Sequence, residues 1–238
     1  MNDENKIIVA LDLNDITRAK YIVNLIKYDV IYKVGMEFFY SFGMEGISEL
    51  KKIKPEIKIF LDLKLHDIPN TVSKSIEPLV LKVRPYMLTL HTSGGNIMLK
   101  EAVSKVDKIC KVGNFKKPIL LGVTILTSLK KEDLVSIDWG NDISKVVIKL
   151  ASLAKISGLD GIVCSAKEIK DIRKNFNNLK IVAPGIRFKQ DNKEDQVRVM
   201  SPEAAVKAGA DFIVIGRPIL NAKDPNLILR KILNSFNS

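Results

Sequence analysis

The segment Asp62-Leu-Lys64-Leu-His-Asp67 carries the residue types in this chain that are best suited to chemistry. It continues the apolar run at residues 57–61, which predicts a buried strand. Three charges of alternating sign behind such a strand are costly to desolvate unless something offsets the cost. Because strand side chains alternate between faces, Asp62 and Lys64 are predicted to point the same way. Asp67 lies beyond the strand and has to reach a site from a loop.

An ammonium group held among carboxylates is suited to donating a proton to a reacting carbon. The alternative interpretation is a structural ion-pair cluster at the mouth of a barrel, because ion-pair networks also perturb titrating groups. The motif taken alone leaves both interpretations open.

Alternating strand and helix patterns predict the scaffold behind this segment. The strand candidates are residues 7–11, 30–34, 59–63, 87–90, 119–123, 161–164, 181–183 and 212–215. Helical patterns include residues 16–27, 143–157, 202–208 and 226–234. The pattern over 71–83 contains Pro78, which should kink or split that helix.

Eight strand–helix pairs in 238 residues predict an α/β fold, a single-domain (β/α)8 TIM barrel spanning residues 1–238. An open doubly wound sheet is the alternative. Its phosphate-binding fingerprints, G-x-G-x-x-G and G-x-x-x-x-G-K-[ST], are absent from the sequence.

Polar residues follow the predicted strands at their carboxyl ends, where barrel enzymes carry their chemistry. These residues are Asp12, Lys33, Asp62, Lys64, His91, Thr124, Ser165, Arg187, Gly216 and Arg217. The opposite strand ends carry no such concentration of charge, and the asymmetry favours an enzyme.

The turns after the last two strands have the composition of a phosphate site. Each combines a glycine with an arginine, Gly185 with Arg187 and Gly216 with Arg217. Glycine permits close approach of the backbone to an anion, and the planar guanidinium group suits phosphate oxygens. The polar stretch 188–195 has the composition of a mobile flap, and Gln196 at its end could move onto a ligand.

Composition argues against several other classes of protein. The net charge of +11 comes from scattered lysines without an aromatic-interleaved basic stripe, so no nucleic-acid partner is predicted. No apolar run approaches the ~20 residues that span a bilayer, so no membrane partner is predicted either. Two cysteines are too few for a disulfide scaffold, and a cytoplasmic location fits best.

These residues together resemble the orotidine 5'-phosphate decarboxylase family, and the match spans essentially the whole chain. The segments that carry it are Val9-Ala-Leu-Asp12, Tyr32-Lys33-Val-Gly35, Phe60-Leu-Asp62-Leu-Lys64-Leu-His-Asp67-Ile-Pro-Asn-Thr71, Val123-Thr-Ile-Leu-Thr127-Ser, Pro184-Gly-Ile-Arg187 and Ile215-Gly-Arg217-Pro. The long third-strand segment is the most specific of them. The resemblance implies a homodimeric barrel that uses neither a metal nor an organic cofactor.

The resemblance also implies a role for each site residue. Lys64 would donate the proton to C6 of the pyrimidine, Asp62 would lie against the departing carboxylate, and Lys33 and Asp67 would complete the charged array. Asp67, Ile68 and Thr71 would come from the partner subunit. The remaining substrate contacts would be Asp12 and Lys33 on the ribose, Thr127 on the pyrimidine, and Arg187, Gln196, Gly216 and Arg217 on the phosphate and the flap.

Two rival functions stay open. A magnesium-dependent sugar-phosphate decarboxylase or hexulose-phosphate synthase of the same broader group shares the D-x-K-x-x-D pattern but carries a Glu where this chain has Lys33. That lysine repels a cation and removes a ligand. A non-catalytic nucleic-acid-binding barrel is suggested by the charge alone. His66 and His91 lie outside any cluster at metal-ligand spacing and are interpreted as packing residues.

Overall fold

A computed structural model describes residues 3–187 and 200–236 of the chain. Within these ranges, eight parallel strands pair in sequential order and close into a barrel. The strands are β1 (Ile7–Ala10), β2 (Ile31–Gly35), β3 (Lys58–Leu65), β4 (Met87–His91), β5 (Ile119–Val123), β6 (Gly161–Val163), β7 (Lys180–Ala183) and β8 (Phe212–Ile215). The register Ile8↔Val214 joins β1 to β8. The predicted barrel is therefore confirmed, and the alternative of an open sheet is excluded.

Strand alternation divides the apolar residues between two cores. One set fills the barrel interior: Ile8, Ala10, Ile31, Phe60, Met87, Leu121, Val182, Phe212 and Val214. Their sequence neighbours, such as Val9 and Tyr32, point outward into the larger core beneath the helices. Strands buried on both faces read as continuous apolar runs, which is why the sequence marks all eight.

Helices cover the outside of the barrel between the strands. They are α1 (Ile16–Leu25), α2 (Met36–Ile53), α3 (Pro69–Pro78), α4 (Gly95–Gly113), α5 (Lys131–Ser136), α6 (Ile143–Ile156), α7 (Ile169–Asn175), α8 (Pro202–Ala208), α9 (Arg217–Leu220) and α10 (Pro225–Ser235). Side-chain caps fix several starts. Asp15 accepts hydrogen bonds from two backbone amides of α1, and Ser201 accepts one from α8.

The predicted break at Pro78 is confirmed. Helix α3 ends at that proline, and a π-helical turn follows over Leu79–Val83. Proline lacks the amide hydrogen that a continuing helix requires, and its ring clashes with the preceding turn. The turn ends at Arg84, whose backbone is left-handed with φ of 46°. Among the described residues, no helix is long and apolar enough to cross a membrane.

Candidate active site

A cavity of about 500 Å³ opens at the carboxyl ends of the strands. Its polar lining comprises Asp12, Lys33, Glu37, Asp62, Lys64, Thr127, Gly185, Arg187, Gly216 and Arg217. Its apolar lining includes Ala10, Phe60, Val123, Val163 and Val214. Parallel strands bring their carboxyl ends to one face of a barrel, so residues far apart in sequence share this cavity. Of this lining, Glu37 and the apolar wall were not predicted from the sequence.

Four charged side chains within the cavity form a continuous series of contacts, the ion-pair chain, which consists of Asp12, Lys33, Asp62 and Lys64. Lys33 Nζ lies 2.7 Å from Asp12 Oδ1 and 3.7 Å from Asp62 Oδ2. Lys64 Nζ donates a hydrogen bond to the same Oδ2 of Asp62, at 3.0 Å. The predicted same-side placement of Asp62 and Lys64 is therefore confirmed, and Asp12 supplies the second carboxylate within this chain.

Lys33 and Asp62 are the most enclosed of the charges, each with its side chain 11% exposed. Burial by itself would lower the pKa of this lysine, but the carboxylates of Asp62 and Asp12 outweigh that effect and raise the pKa above its usual value. Gly35 leaves room for the ammonium group, since a Cβ at this position would lie 2.9 Å from Lys33 Nζ. Lys33 therefore remains a fixed positive charge between two carboxylates.

The backbone of β3 departs from a regular strand between Leu61 and Leu65. Its register with β4 runs from Leu61↔Leu88 to Leu65↔Leu90, so β3 advances four residues where β4 advances two. Lys64 lies inside this bulge with φ of 51°. Bulges re-aim side chains beside functional sites. Strand alternation thus predicted the correct face for Lys64, although its backbone is left-handed rather than extended.

The buried Thr89 of β4 contacts this bulge, and sequence reasoning did not single it out. Its Oγ1 accepts a hydrogen bond from the Lys64 amide at 2.9 Å and lies 3.0 Å from Asp62 Oδ1. A threonine in the middle of an apolar strand was the available signal, because a buried hydroxyl group requires partners.

Asp67, Ile68 and Thr71 lie outside the cavity of their own chain. All three are exposed, and Ile68 is 65% exposed. Asp67 Oδ1 accepts a hydrogen bond from the amide of Ile68, in the loop between β3 and α3. A single copy of the protein therefore does not bring Asp67 to the ion-pair chain.

The two predicted phosphate turns meet at one side of the cavity. Gly185 has φ of 76°, a conformation that glycine adopts without strain. The adjacent Arg187 donates from its backbone amide to the carbonyl of Met200, which holds the turn after β7. Arg217 begins α9 directly after Gly216. The predicted flap at 188–195 and Gln196 lie outside the described residues.

Other polar residues at the strand ends have structural partners. Thr124 donates to the carbonyl of Val163, and the Ser165 side chain accepts from the amide of Lys167. The rings of His66 and His91 stack with centroids 5.3 Å apart, in agreement with their interpretation as packing residues. Ser93 Oγ lies 2.6 Å from His91 Nδ1. In the described part of the chain, no three His, Cys, Asp or Glu side chains form a possible metal cluster.

Known proteins are similar to this chain in sequence and in fold. The model of the orotidine 5'-phosphate decarboxylase / HUMPS family matches residues 5–232. The chain is 44% identical over 235 residues to an orotidine 5'-phosphate decarboxylase from Wolbachia pipientis, covering 98% of this chain and 99% of the relative. It is 43% identical over 232 residues to the enzyme of that name from Lawsonia intracellularis, covering 97% and 99%.

A solved structure is similar as well. The crystal structure of orotidine 5'-phosphate decarboxylase from Lactobacillus acidophilus superposes with a TM-score of 0.83 at 36% sequence identity. The superposition covers 98% of this chain and 100% of that one.

Proposed function

The chain belongs to the orotidine 5'-phosphate decarboxylase / HUMPS family, and we propose that it converts orotidine 5'-phosphate into UMP and carbon dioxide. This reaction would place it in pyrimidine nucleotide synthesis. The observation that carries the proposal is the linked series Asp12–Lys33–Asp62–Lys64 in a cavity that also contains two arginines. Ammonium groups suit a reaction that develops negative charge on carbon, and arginines suit a phosphate.

In the proposed mechanism, the bond between C6 and the carboxylate breaks and its electron pair stays on C6. No adjacent π system delocalises that pair well, so a fixed ammonium group beside C6 stabilises the developing charge. Lys64 then transfers a proton to C6 and is reprotonated from water. Asp62 lies against the departing carboxylate and orients Lys64, while the Lys33 ammonium group lies 3.7 Å from the same Oδ2 of Asp62.

Substrate binding is proposed to use the remaining lining of the same cavity. Asp12 and Lys33 hold the ribose, Thr127 holds the pyrimidine, and Gly216 with Arg187 and Arg217 binds the phosphate. The support is that all of them line one cavity with Lys64. Gln196, outside the described residues, is proposed to join the phosphate contacts. Contacts far from C6 then supply binding energy that orders the reacting end.

A homodimer is proposed to complete the site, with Asp67, Ile68 and Thr71 reaching into the partner's cavity. Support comes from exposed apolar side chains that follow the carboxyl ends of three consecutive strands. These are Met36, Tyr40, Ile68 and Ile97, which are 46%, 78%, 65% and 69% exposed. Exposed apolar patches are typical of protein–protein interfaces.

The reaction is proposed to need neither a metal nor an organic cofactor, in a reducing cytoplasm where both cysteines remain thiols. Cys110 and Cys164 are buried and unpaired. The magnesium-dependent sugar-phosphate reactions of the wider family remain the second candidate. The Lys33 ammonium group disfavours it, because it occupies the space between the Asp12 and Asp62 carboxylates that a cation would need.

Turnover of orotidine 5'-phosphate by the purified protein, with and without EDTA, tests the proposal. We expect EDTA-insensitive release of UMP and carbon dioxide that Lys64→Ala reduces to background. The matched control is Lys145→Ala, a lysine whose side chain is 82% exposed on α6. Turnover of a sugar phosphate that requires magnesium, without turnover of orotidine 5'-phosphate, would favour the second candidate instead.

A further inference from the structure

We propose that Thr89 is a positioning residue of this enzyme, whose hydroxyl group sets both the backbone of Lys64 and the carboxylate of Asp62. The inference rests on the proposed function, since it assigns a residue to the proton-donating step. Thr89 is completely buried in the middle of β4 and does not line the cavity. It therefore has to act through its neighbours.

Only one assignment of donors and acceptors fits the hydrogen bonds of Thr89. The Lys64 amide donates to Oγ1, so the hydroxyl hydrogen points away from that amide. Its two possible acceptors are Asp62 Oδ1 at 3.0 Å and the Leu61 carbonyl at 3.5 Å. The nearer and charged acceptor is favoured. Thr89 thus accepts from Lys64 and donates to Asp62.

This arrangement determines which carboxylate oxygen of Asp62 is available to the lysines. With Oδ1 bound to Thr89, Oδ2 faces the cavity and meets the ammonium groups of both Lys33 and Lys64. A carboxylate without that anchor could rotate about its terminal torsion, which has a broad energy profile. The hydroxyl group therefore fixes the oxygen that aligns the proposed proton donor.

The backbone of Lys64 depends on the same hydroxyl group. The residue has φ of 51° inside the bulge, where the ladder between β3 and β4 is interrupted. Non-glycine residues keep such a conformation only when their surroundings enforce it. Thr89 provides the acceptor that the interrupted ladder does not, and so satisfies the Lys64 amide.

Thr89→Val tests the proposal, because valine keeps the shape but can neither accept nor donate a hydrogen bond. We expect kcat for orotidine 5'-phosphate to fall about tenfold to a hundredfold, the range expected for a misplaced catalytic group. KM and the dissociation constant of UMP should stay within about twofold, because the ribose and phosphate contacts are untouched. Thr89→Ser, which keeps the hydroxyl group, should recover most of the lost kcat.

Thr92→Val is the matched control. Thr92 is equally buried, and its hydroxyl group donates to the Val123 carbonyl at 2.6 Å without touching the ion-pair chain. This variant should lose stability but keep kcat. Equal kcat losses in Thr89→Val and Thr92→Val, or a Thr89→Ser variant as impaired as Thr89→Val, would overturn the proposal. If Thr89→Val does not fold, Thr89→Cys replaces it in the comparison with Thr92→Val, because a thiol forms only weak hydrogen bonds.

A double-mutant cycle and a crystal structure separate this inference from the proposed function. In an Asp62→Asn background, Thr89→Val should cost much less activity than in the wild-type chain, because the two residues act as a unit. In the Thr89→Val crystal structure the Lys64 ammonium group should move away from Asp62 Oδ2. An unmoved Lys64 overturns the role of Thr89 whatever the substrate, whereas a wild-type protein inactive on orotidine 5'-phosphate contradicts the proposed function.

Discussion

Gly35 lies so close to Lys33 that a Cβ atom at position 35 would be 2.9 Å from the ammonium nitrogen of Lys33. The same Cβ would lie 3.2 Å from Asp12 Oδ1. The glycine is the last residue of β2, directly after Val34. It packs against the ion pair of Lys33 and Asp12, whose Nζ and Oδ1 atoms are 2.7 Å apart. The absence of a side chain at this position therefore makes space for the Lys33–Asp12 contact.

Gly35→Ala should displace the Lys33 ammonium group and weaken its contact with Asp12. Because the ammonium group is held by two carboxylates, it cannot move away without losing one of them. We expect kcat/KM for orotidine 5'-phosphate to fall at least tenfold, roughly the effect of misplacing a site group. Steady-state kinetics measures the loss, and circular dichroism checks the fold. Wild-type kcat/KM in a folded Gly35→Ala protein would contradict the spatial role of the glycine.

Lys33→Glu should abolish orotidine 5'-phosphate turnover and create affinity for magnesium. The substitution places a third carboxylate beside Asp12 and Asp62, and oxygen ligands of this kind are the ones magnesium prefers. Isothermal titration calorimetry measures the metal binding. Lys145→Glu makes the same charge change on an exposed side chain and should change neither property. Unchanged turnover in Lys33→Glu would remove Lys33 from the proposed site.

Arg187→Ala and Arg217→Ala should each weaken the binding of orotidine 5'-phosphate. Loss of a charged hydrogen bond to phosphate is worth about 1.5–3 kcal/mol, which corresponds to roughly a tenfold to hundredfold loss in kcat/KM. The nucleoside orotidine lacks the phosphate, so its slow turnover should be the same in both variants and the wild type. Arg230→Ala, on the exposed face of α10, is the control. Equal losses with orotidine would show that the arginines do not act through the phosphate.

Mixing Asp67→Ala and Lys64→Ala chains should restore activity that neither variant has alone. If Asp67 serves the partner's cavity, a mixed dimer contains one site with both substitutions and one site with neither. Statistical mixing of equal amounts makes half of the dimers mixed, so about a quarter of the wild-type activity is expected. Native mass spectrometry establishes that mixed dimers form. Their inactivity would contradict a site that is shared between the two chains.

Acidification should destabilise the fold through His91. Burial, followed by the nearby His66 and Lys64, lowers the pKa of His91 to about 4 from its ordinary value of 6.5. Between these values the unfolded chain binds a proton at His91 that the folded chain does not, so stability falls as the pH drops from 6.5 to 4.

His91→Gln should reduce the loss in free energy of unfolding over this pH range by about 1 kcal/mol. The change is smaller than the full pKa shift would give, because partial solvent exposure screens the charge of His91. Urea denaturation at pH 7.5 and pH 4.5 measures the difference. Equal pH dependence in the variant and the wild type would assign the acid sensitivity to other groups.

Local patterns in the sequence were sufficient for the eight strands, for several of the helices and for the end of the barrel that carries the chemistry. Apolar runs marked all eight strands, helical patterns marked the segments that begin after Asp15 and Ser201, and Pro78 marked a helix end. These signals depend on backbone hydrogen bonding and burial within a few residues, so they can be read from neighbours along the chain. The same locality placed Asp62 and Lys64 on one face.

Only the tertiary structure decided how the charges meet. The contacts of Lys33 with Asp12 and of Thr89 with Lys64 join residues 21 and 25 positions apart. Each depends on the register between two strands, which is fixed by barrel closure and by the bulge in β3. Strand register is a collective result of packing around the whole barrel, and a local pattern does not contain it. The sequence by itself therefore determined which residues could do chemistry, and the closed barrel determined their partners.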